Sequence, residues 1–150
     1  MKIQEQIGNY YTIGHLVLFT GLTDRTIRNY LAMGFLKGEK INGVWHFTSQ
    51  QIEEFMRHPS VRPSLLARRN GFVYDFMTNP SENSPKCCMI LDFPGEDRKI
   101  LADHFCTSIC MDNYHDIDFS FDGVDDIPRI ILRGDTKEVL RLVNSFYNSR

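Results

Sequence analysis

Long apolar runs are missing from this 150-residue sequence. None approaches the roughly 20 consecutive apolar residues that a membrane-spanning helix needs. No charged segment followed by an apolar one opens the chain, so we expect no signal peptide. These absences predict a cytoplasmic protein that has no membrane partner.

Cysteine is scarce and poorly spaced for a disulfide framework. The four residues, Cys87, Cys88, Cys106 and Cys110, include an adjacent pair and have no CxxC spacing. Because they lie among apolar neighbours, we expect core thiols; metal or redox sensing by them is the alternative. The sequence also lacks a Gly-rich phosphate loop, a Ser nucleophile elbow and an HExxH motif. We therefore expect no enzymatic activity, no metal and no cofactor.

The net charge of −2 conceals an uneven distribution. Residues 1–70 hold nine Lys and Arg against five Asp and Glu, a formal charge of +4. Residues 71–150 hold eight against fourteen, a formal charge of −6. This asymmetry predicts a polyanion-binding module joined to a unit that polyanions repel.

Two short helices are predicted near the start of the chain. Thr12 precedes an apolar run that ends at Gly21, which is typical of a capped helix. Thr23 or Asp24 then caps a second helix that runs to about Met33. Its inward side chains are Ile27, Tyr30 and Leu31, and its outward ones are Arg25, Arg28 and Asn29.

A β-hairpin and a third helix are predicted next. Asn42-Gly43, within residues 37–47, is a strong hairpin signal because a type I′ turn needs positive φ at both positions. Thr48-Ser49-Gln50-Gln51 is a capping box that opens a helix ending before Pro59. We interpret residues 59–70, which carry three arginines, as a connector.

The second half predicts an α+β domain over residues 71–150. Strands are expected at 71–77, 86–93, 116–122 and 128–134, and helices at 95–111 and 135–149. The resulting order is β-β-α-β-β-α. Moving the first strand to the end produces the ferredoxin-like order, so we expect four strands and two helices.

The helix-turn-helix and hairpin of residues 1–58 suit a nucleic-acid groove. Arg25 and Arg28 lie three residues apart and therefore share a face of the second helix. A helix of about three turns fits the major groove of DNA, with its first turns at the base edges. One arginine can then contact a guanine edge while the other contacts a phosphate.

Residues 11–36 (YTIGHLVLFTGLTDRTIRNYLAMGFL) and 42–55 (NGVWHFTSQQIEEF) resemble the DNA-binding domain of MerR-type transcription regulators. The resemblance covers residues 10–57, about a third of the chain, and excisionase-like proteins share much of the pattern. It implies a winged helix-turn-helix in which Arg25 and Arg28 contact DNA. It also implies that the hairpin 37–47 is a wing on the DNA backbone.

The chain departs from this family at several places. The family usually has Glu where His15 stands, so we expect no capping box with Thr12. It commonly has two basic residues where Trp45 and His46 stand, and we expect Trp45 to be a core residue. No long coiled-coil helix follows, so a homodimer would have to form through residues 60–150.

These observations predict a dimeric, sequence-specific regulator whose partner is double-stranded DNA, with a small-molecule or protein effector as a further possible partner. The alternatives are a protein-interaction adaptor built on a helix-turn-helix scaffold and an excisionase-like architectural protein. The predicted DNA-binding residues are Thr23, Arg25, Arg28, Asn29, Lys37, Lys40, His46, Arg62, Arg68 and Arg69.

Overall fold

A computed structural model of the chain describes residues 10–112, 114–122 and 127–149. Over these residues the protein is α+β, with six helices and two small antiparallel sheets. The chain divides into two compact units, 1–70 and 71–150. Residues 1–9 of the first predicted domain lie outside the described residues. No helix in the described part is both long and apolar enough to cross a membrane.

The N-terminal unit consists of short helices and one hairpin. Its elements are α1 (Ile13–Thr20), α2 (Asp24–Met33), β1 (Glu39–Ile41), β2 (Val44–His46), α3 (Ser49–Arg57) and the first half of α4 (Arg62–Thr78). The predicted hairpin is confirmed, since Asn42 and Gly43 have φ angles of 52° and 80°. The core of this unit contains Leu16, Ile27, Leu36, Phe47, Phe55 and Val61, each at most 2% exposed.

His15 corrects the expectation that the first helix has no capping box. The backbone N–H of Thr12 donates to Nδ1 of His15 at 2.9 Å. The imidazole therefore takes the place that a Glu carboxylate has in the usual box. His15 is 5% exposed, so this contact also satisfies a buried polar ring.

The C-terminal unit is a three-stranded sheet with two helices. Its elements are β3 (Lys86–Asp92), α5 (Arg98–Met111), β4 (Ile117–Asp122), β5 (Arg129–Asp135) and α6 (Thr136–Asn148). Strand β5 lies between β3 and β4 and is antiparallel to both. Helix α5 therefore links two parallel strands that a third strand separates, which is a split βαβ unit.

One face of this sheet carries most of the core, and Ile131 is the buried residue of β5 on the other face. Ile130 and Leu132 alternate along β5 and are fully buried. The ring of Phe105 on α5 stacks on Phe119 of β4, 6.2 Å away, so α5 covers this face. The other face carries two cross-strand ion pairs, Arg129 with Asp92 and Arg133 with Asp118.

The predicted strand at residues 71–77 is wrong, because these residues form the second half of helix α4. The half-buried side chains there are Phe72, Val73 and Phe76, which is helical spacing, whereas Tyr74 and Met77 are 64% and 76% exposed. Gly71 does not interrupt the helix. The described residues of this unit thus contain three strands, not the four of the predicted ferredoxin-like order.

The predicted connector is mostly helical. Residues 59–61 form a turn, and residues 62–70 are the first half of α4. Pro63 is compatible with this helix because it lies in the first turn, where no intrahelical N–H donor is required.

Candidate nucleic-acid interface

The turn between α1 and α2 is held by one buried threonine. Thr20 Oγ1 donates to the Leu16 carbonyl at 2.7 Å and accepts from the Leu22 N–H at 3.1 Å. Gly21 completes the turn with a φ of 73°, which glycine adopts without the strain that a Cβ would add. This network sets the position at which α2 begins.

Helix α2 buries one face and exposes a polar face. Thr23 is its N-cap, and Thr23 Oγ1 accepts from the Thr26 N–H at 3.2 Å. Ile27 is fully buried on the inner side. The side chains of Arg25, Arg28 and Asn29 are all exposed, and their spacing places them on one stripe of the helix.

The two arginines of α2 differ in their ion pairing. Arg28 Nε lies 2.5 Å from Asp24 Oδ1, and the two side chains are 56% and 59% exposed. An exposed pair of this kind contributes only about 0.3–0.5 kcal/mol, so a phosphate can replace Asp24 at little cost. Arg25 has no ion-pair partner among the described residues. The stripe thus offers two guanidinium groups to an anion.

The hairpin is less basic than a DNA-contacting wing usually is. Lys40 and Trp45 are cross-strand partners, and the Lys40 ammonium lies 5.8 Å from the centre of the indole. Trp45 is half-buried, so the expectation of a core tryptophan is only partly met. His46 lies flat against Tyr10, with ring centroids 3.8 Å apart. Lys37, just before β1, is exposed.

Sequence reasoning missed the apolar tip of this hairpin. Ile41 and Val44 flank the Asn42-Gly43 turn and are 40% and 47% exposed. They lie on the face of His46, opposite the face that Phe47 buries. In the sequence, the one signal for their exposure is that they flank a turn. Apolar residues in a strand are otherwise expected to be buried.

The three arginines of α4 are placed differently from one another. Arg68 is exposed and lies against the turn before α2: its Nε is 3.2 Å from the point where a Cβ on Gly21 would stand. Arg62 and Arg69 are half-buried. They lie seven residues apart and therefore share a helix face with each other but not with Arg68. Arg68 thus lies beside the turn that leads into the predicted recognition helix.

The cysteines do not all belong to the core. Cys106 is buried, Cys87 and Cys88 are half-buried, and Cys110 is exposed, which corrects the core interpretation for Cys110. A hydrogen bond from the Cys106 thiol lowers the pKa of Cys110 to about 7. The same contact, together with burial, raises the pKa of Cys106. The described part of the chain has no group of three or more His, Cys, Asp or Glu side chains able to hold a metal ion.

The C-terminal unit has an open groove of about 510 Å³. It is lined by Phe76, Met77, Pro80, Ser81, Ser84, Pro85 and Lys86. Apart from Phe76, all these residues are exposed, so the groove would cover little of a ligand. Small-molecule sites usually enclose most of the ligand surface, and the effector therefore stays a prediction.

Comparisons with protein-family models, with curated proteins and with solved structures find no match to this chain. The exposed residues of α2, the hairpin and Arg68 are therefore the basis for a functional proposal. Chemically, they can bind a polyanion through guanidinium groups, with an amide at Asn29 able to read a base edge.

Proposed function

We propose that this protein is a sequence-specific DNA-binding transcription regulator whose N-terminal unit acts as a MerR-like winged helix-turn-helix. The observation that carries the proposal is the exposed stripe of Arg25, Arg28 and Asn29 on α2. The ferredoxin-like arrangement is not part of it, because residues 71–77 are helical.

The dimensions of α2 support insertion into the major groove. Its ten residues make a helix about 15 Å long, and the groove is about 12 Å wide. Arg25 and Asn29 are one turn apart, so both can face base edges. Arg28 forms an exposed ion pair with Asp24. It can therefore bind either a guanine or a phosphate in place of that carboxylate.

The flanking residues supply backbone contacts in this proposal. The Thr23 hydroxyl lies at the N-terminus of α2, where phosphates bind favourably. Arg68 lies beside the turn that leads into α2, and Lys37 and Lys40 contact phosphates from the hairpin. Arg62 and Arg69 are half-buried and take a smaller part.

The uneven charge supports a single orientation on DNA. The formal charge of +4 on residues 1–70 attracts the duplex, and the −6 on residues 71–150 repels it. The acidic unit then remains free for homodimerisation, which allows two half-sites to be read together. It is also the unit on which an effector would act.

Binding of the full chain to DNA tests the proposal. Fluorescence anisotropy would use a pool of labelled duplexes from upstream of its own gene, with non-specific competitor, at two salt concentrations. Arg28→Ala should weaken binding about 5- to 150-fold if Arg28 reads a base, because such a contact contributes about 1–3 kcal/mol. If it contacts a phosphate instead, the salt slope should fall by about 0.9.

Arg57→Ala is the matched control. Arg57 on α3 also makes an exposed i,i+4 ion pair, with Glu53 at 2.9 Å, but lies outside α2. Its loss removes the same charge and a similar surface contact, so binding should change little. Binding of the wild-type chain no tighter than to competitor DNA, or equal losses in the two variants, would contradict the proposal.

An adaptor function is the second candidate, and the hairpin favours it. The exposed pair Ile41 and Val44 resembles a protein contact more than a phosphate contact. This function predicts that Ile41→Ser disrupts a complex with another protein and leaves DNA binding unchanged. A loss of DNA affinity in Ile41→Ser would instead assign the tip to the wing.

A further inference from the structure

Strand β3 has an unpaired edge. On one side it pairs with β5 along its whole length, from Lys86 opposite Asp135 to Asp92 opposite Arg129. No strand within the described residues pairs with the other side. Such an edge is a template for another strand unless charges, proline or a bulge protect it. The seven residues KCCMILD contain no proline and only one charge at each end.

The hydrogen-bonding pattern shows which backbone groups of β3 are available. Thr136 N–H donates to the Pro85 carbonyl at 3.1 Å, and Phe93 N–H donates to the Pro128 carbonyl at 2.9 Å. Bonded pairs alternate along an antiparallel ladder, so the odd-numbered residues of β3 bond β5. The N–H and C=O groups that point to the free edge belong to Lys86, Cys88, Ile90 and Asp92.

We propose that this edge binds the β3 strand of a second copy of the chain, antiparallel, with the two-fold axis at Met89. The two sheets then join into one of six strands across a symmetric interface. This interface specifies the homodimer included in the proposed function, but it does not require DNA binding.

The strand is self-complementary in this register. Lys86 lies opposite Asp92 of the second copy, and the same pair recurs at the other end by symmetry. Cys88 lies opposite Ile90 of the second copy. These are the residues whose backbone groups point outward, so all four outward residues form hydrogen-bonded pairs. Shifting the axis to Cys88 or Ile90 would pair fewer residues and lose the charge match.

Apolar side chains at the edge would gain cover from the same contact. Ile90 is 49% exposed, and Met89 and Leu91 are half-buried. At the axis, Met89 would lie against its own copy in a non-hydrogen-bonded pair, where side chains are closest. The interface therefore buries apolar surface on both faces of the joined sheet.

The opposite edge of the sheet, on β4, does not have self-complementary charges. An axis at Ser120 would place Asp118 opposite Asp122 of the second copy. An axis at Phe119 would place Asp122 opposite Asp116 of the second copy. Like charges directly opposite each other are destabilising, so these carboxylates protect β4 from pairing. The contrast points to β3 as the dimer edge.

A charge exchange tests the proposal without DNA. Sedimentation velocity of the full chain, with a reducing agent present, would compare wild type, Lys86→Asp and Asp92→Lys over a range of concentrations. Wild type should form a dimer. Each single variant should weaken the dimer about tenfold or more, because two cross-strand pairs become repulsive. An equimolar mixture of the two variants should form a heterodimer as stable as the wild-type dimer.

The side chains that are changed are surface residues, so the fold should persist. Lys86 pairs with Asp116 and Asp92 with Arg129, all at least 36% exposed, and circular dichroism would verify both variants. Lys99→Asp on α5 is the control, since it reverses a similar exposed lysine paired with Asp103. It should leave the dimer intact.

Three results would overturn the proposal: a monomeric wild-type chain, a dimer that both single variants keep, or a mixture that does not associate. If the wild-type chain is monomeric, the edge of β3 is open to a strand from a different protein. A dimer that responds as predicted in a chain that does not bind DNA would refute the proposed function alone.

Discussion

A single methyl group added at Gly134 should strongly destabilise the C-terminal unit. Gly134 lies on β5 between Cys87 and Ile117, with a φ of 151°. A Cβ there would stand 1.8 Å from the Asp116 carbonyl oxygen and 2.9 Å from its carbon. Both atoms are backbone, so no side-chain rotation relieves the overlap. Gly134→Ala therefore forces β4 away from β5.

The expected destabilisation is about 2–6 kcal/mol. A residue other than glycine at this backbone conformation costs about 1–3 kcal/mol. Displacing Asp116 also weakens about two hydrogen bonds of the β4–β5 ladder, at about 0.5–1.5 kcal/mol each. Small proteins are stable by only about 5–15 kcal/mol, so this is a large fraction of the total.

Urea unfolding followed by circular dichroism, with hydrogen exchange of the β5 amides, measures the effect. The midpoint should fall by about 1 M urea or more, given a slope of about 1–3 kcal/mol per molar. Gly71→Ala is the control because it lies within α4 with no atom within 4 Å of its Cβ. It should stabilise by up to about 1 kcal/mol. A urea midpoint of Gly134→Ala equal to that of the wild type would refute the geometric reasoning.

Three further predictions concern titration and charge. Iodoacetamide at pH 7.5 should label Cys110 before the other thiols, because the hydrogen bond from Cys106 lowers the pKa of Cys110 to about 7; Cys106→Ala should move the labelling midpoint towards about pH 8.5. Burial lowers the pKa of His104. The stability that neutral His104 contributes is complete above the unfolded pKa of about 6.5 and is lost as the pH falls towards the lower pKa of the folded state. Between pH 7.5 and 5.5, the urea midpoint of His104→Gln should therefore fall less than that of the wild type. Under the proposed function, Asp24→Asn should tighten DNA binding and steepen its salt dependence, because it frees Arg28; anisotropy measures both.

Each of these has a clear contrary result. Equal labelling rates at Cys110 and Cys88 would contradict the activated thiol. An unchanged acid sensitivity in His104→Gln would show that other groups titrate over this range. Weaker DNA binding by Asp24→Asn would show that the carboxylate orients Arg28 for the contact and does not compete with DNA.

Local signals in the sequence predicted most elements of this protein. The sequence marks both ends of helix α2: Thr23 is its N-cap, where the helix starts, and Gly34 is its C-cap, where it ends. The hairpin follows from Asn42-Gly43, because few other dipeptides accept two positive φ angles. Asp135 likewise marks the end of strand β5 and the start of helix α6, because it is the N-cap that accepts from the Glu138 N–H. Caps and turns act over three or four residues, so the chain itself contains the information.

The same holds for the predicted interface. The exposed stripe of Arg25, Arg28 and Asn29 follows from the 3.6-residue period of a helix whose inner face is Ile27. The helical period does not determine what the stripe binds. The anisotropy experiment with DNA described above tests that.

Only the tertiary structure decided the remaining features. Residues 71–77 are helical, and Phe72, Val73 and Phe76 are half-buried on one face of the helix. The sequence alone could not decide this, because an apolar run this short fits a strand equally well. Cys106 and Cys110 share a helix face and a sequence environment, yet one is buried and the other exposed. The free edge of β3 depends on which strand takes the middle of the sheet. Burial and strand order are set by contacts between residues far apart in the chain, and local sequence patterns do not record those contacts.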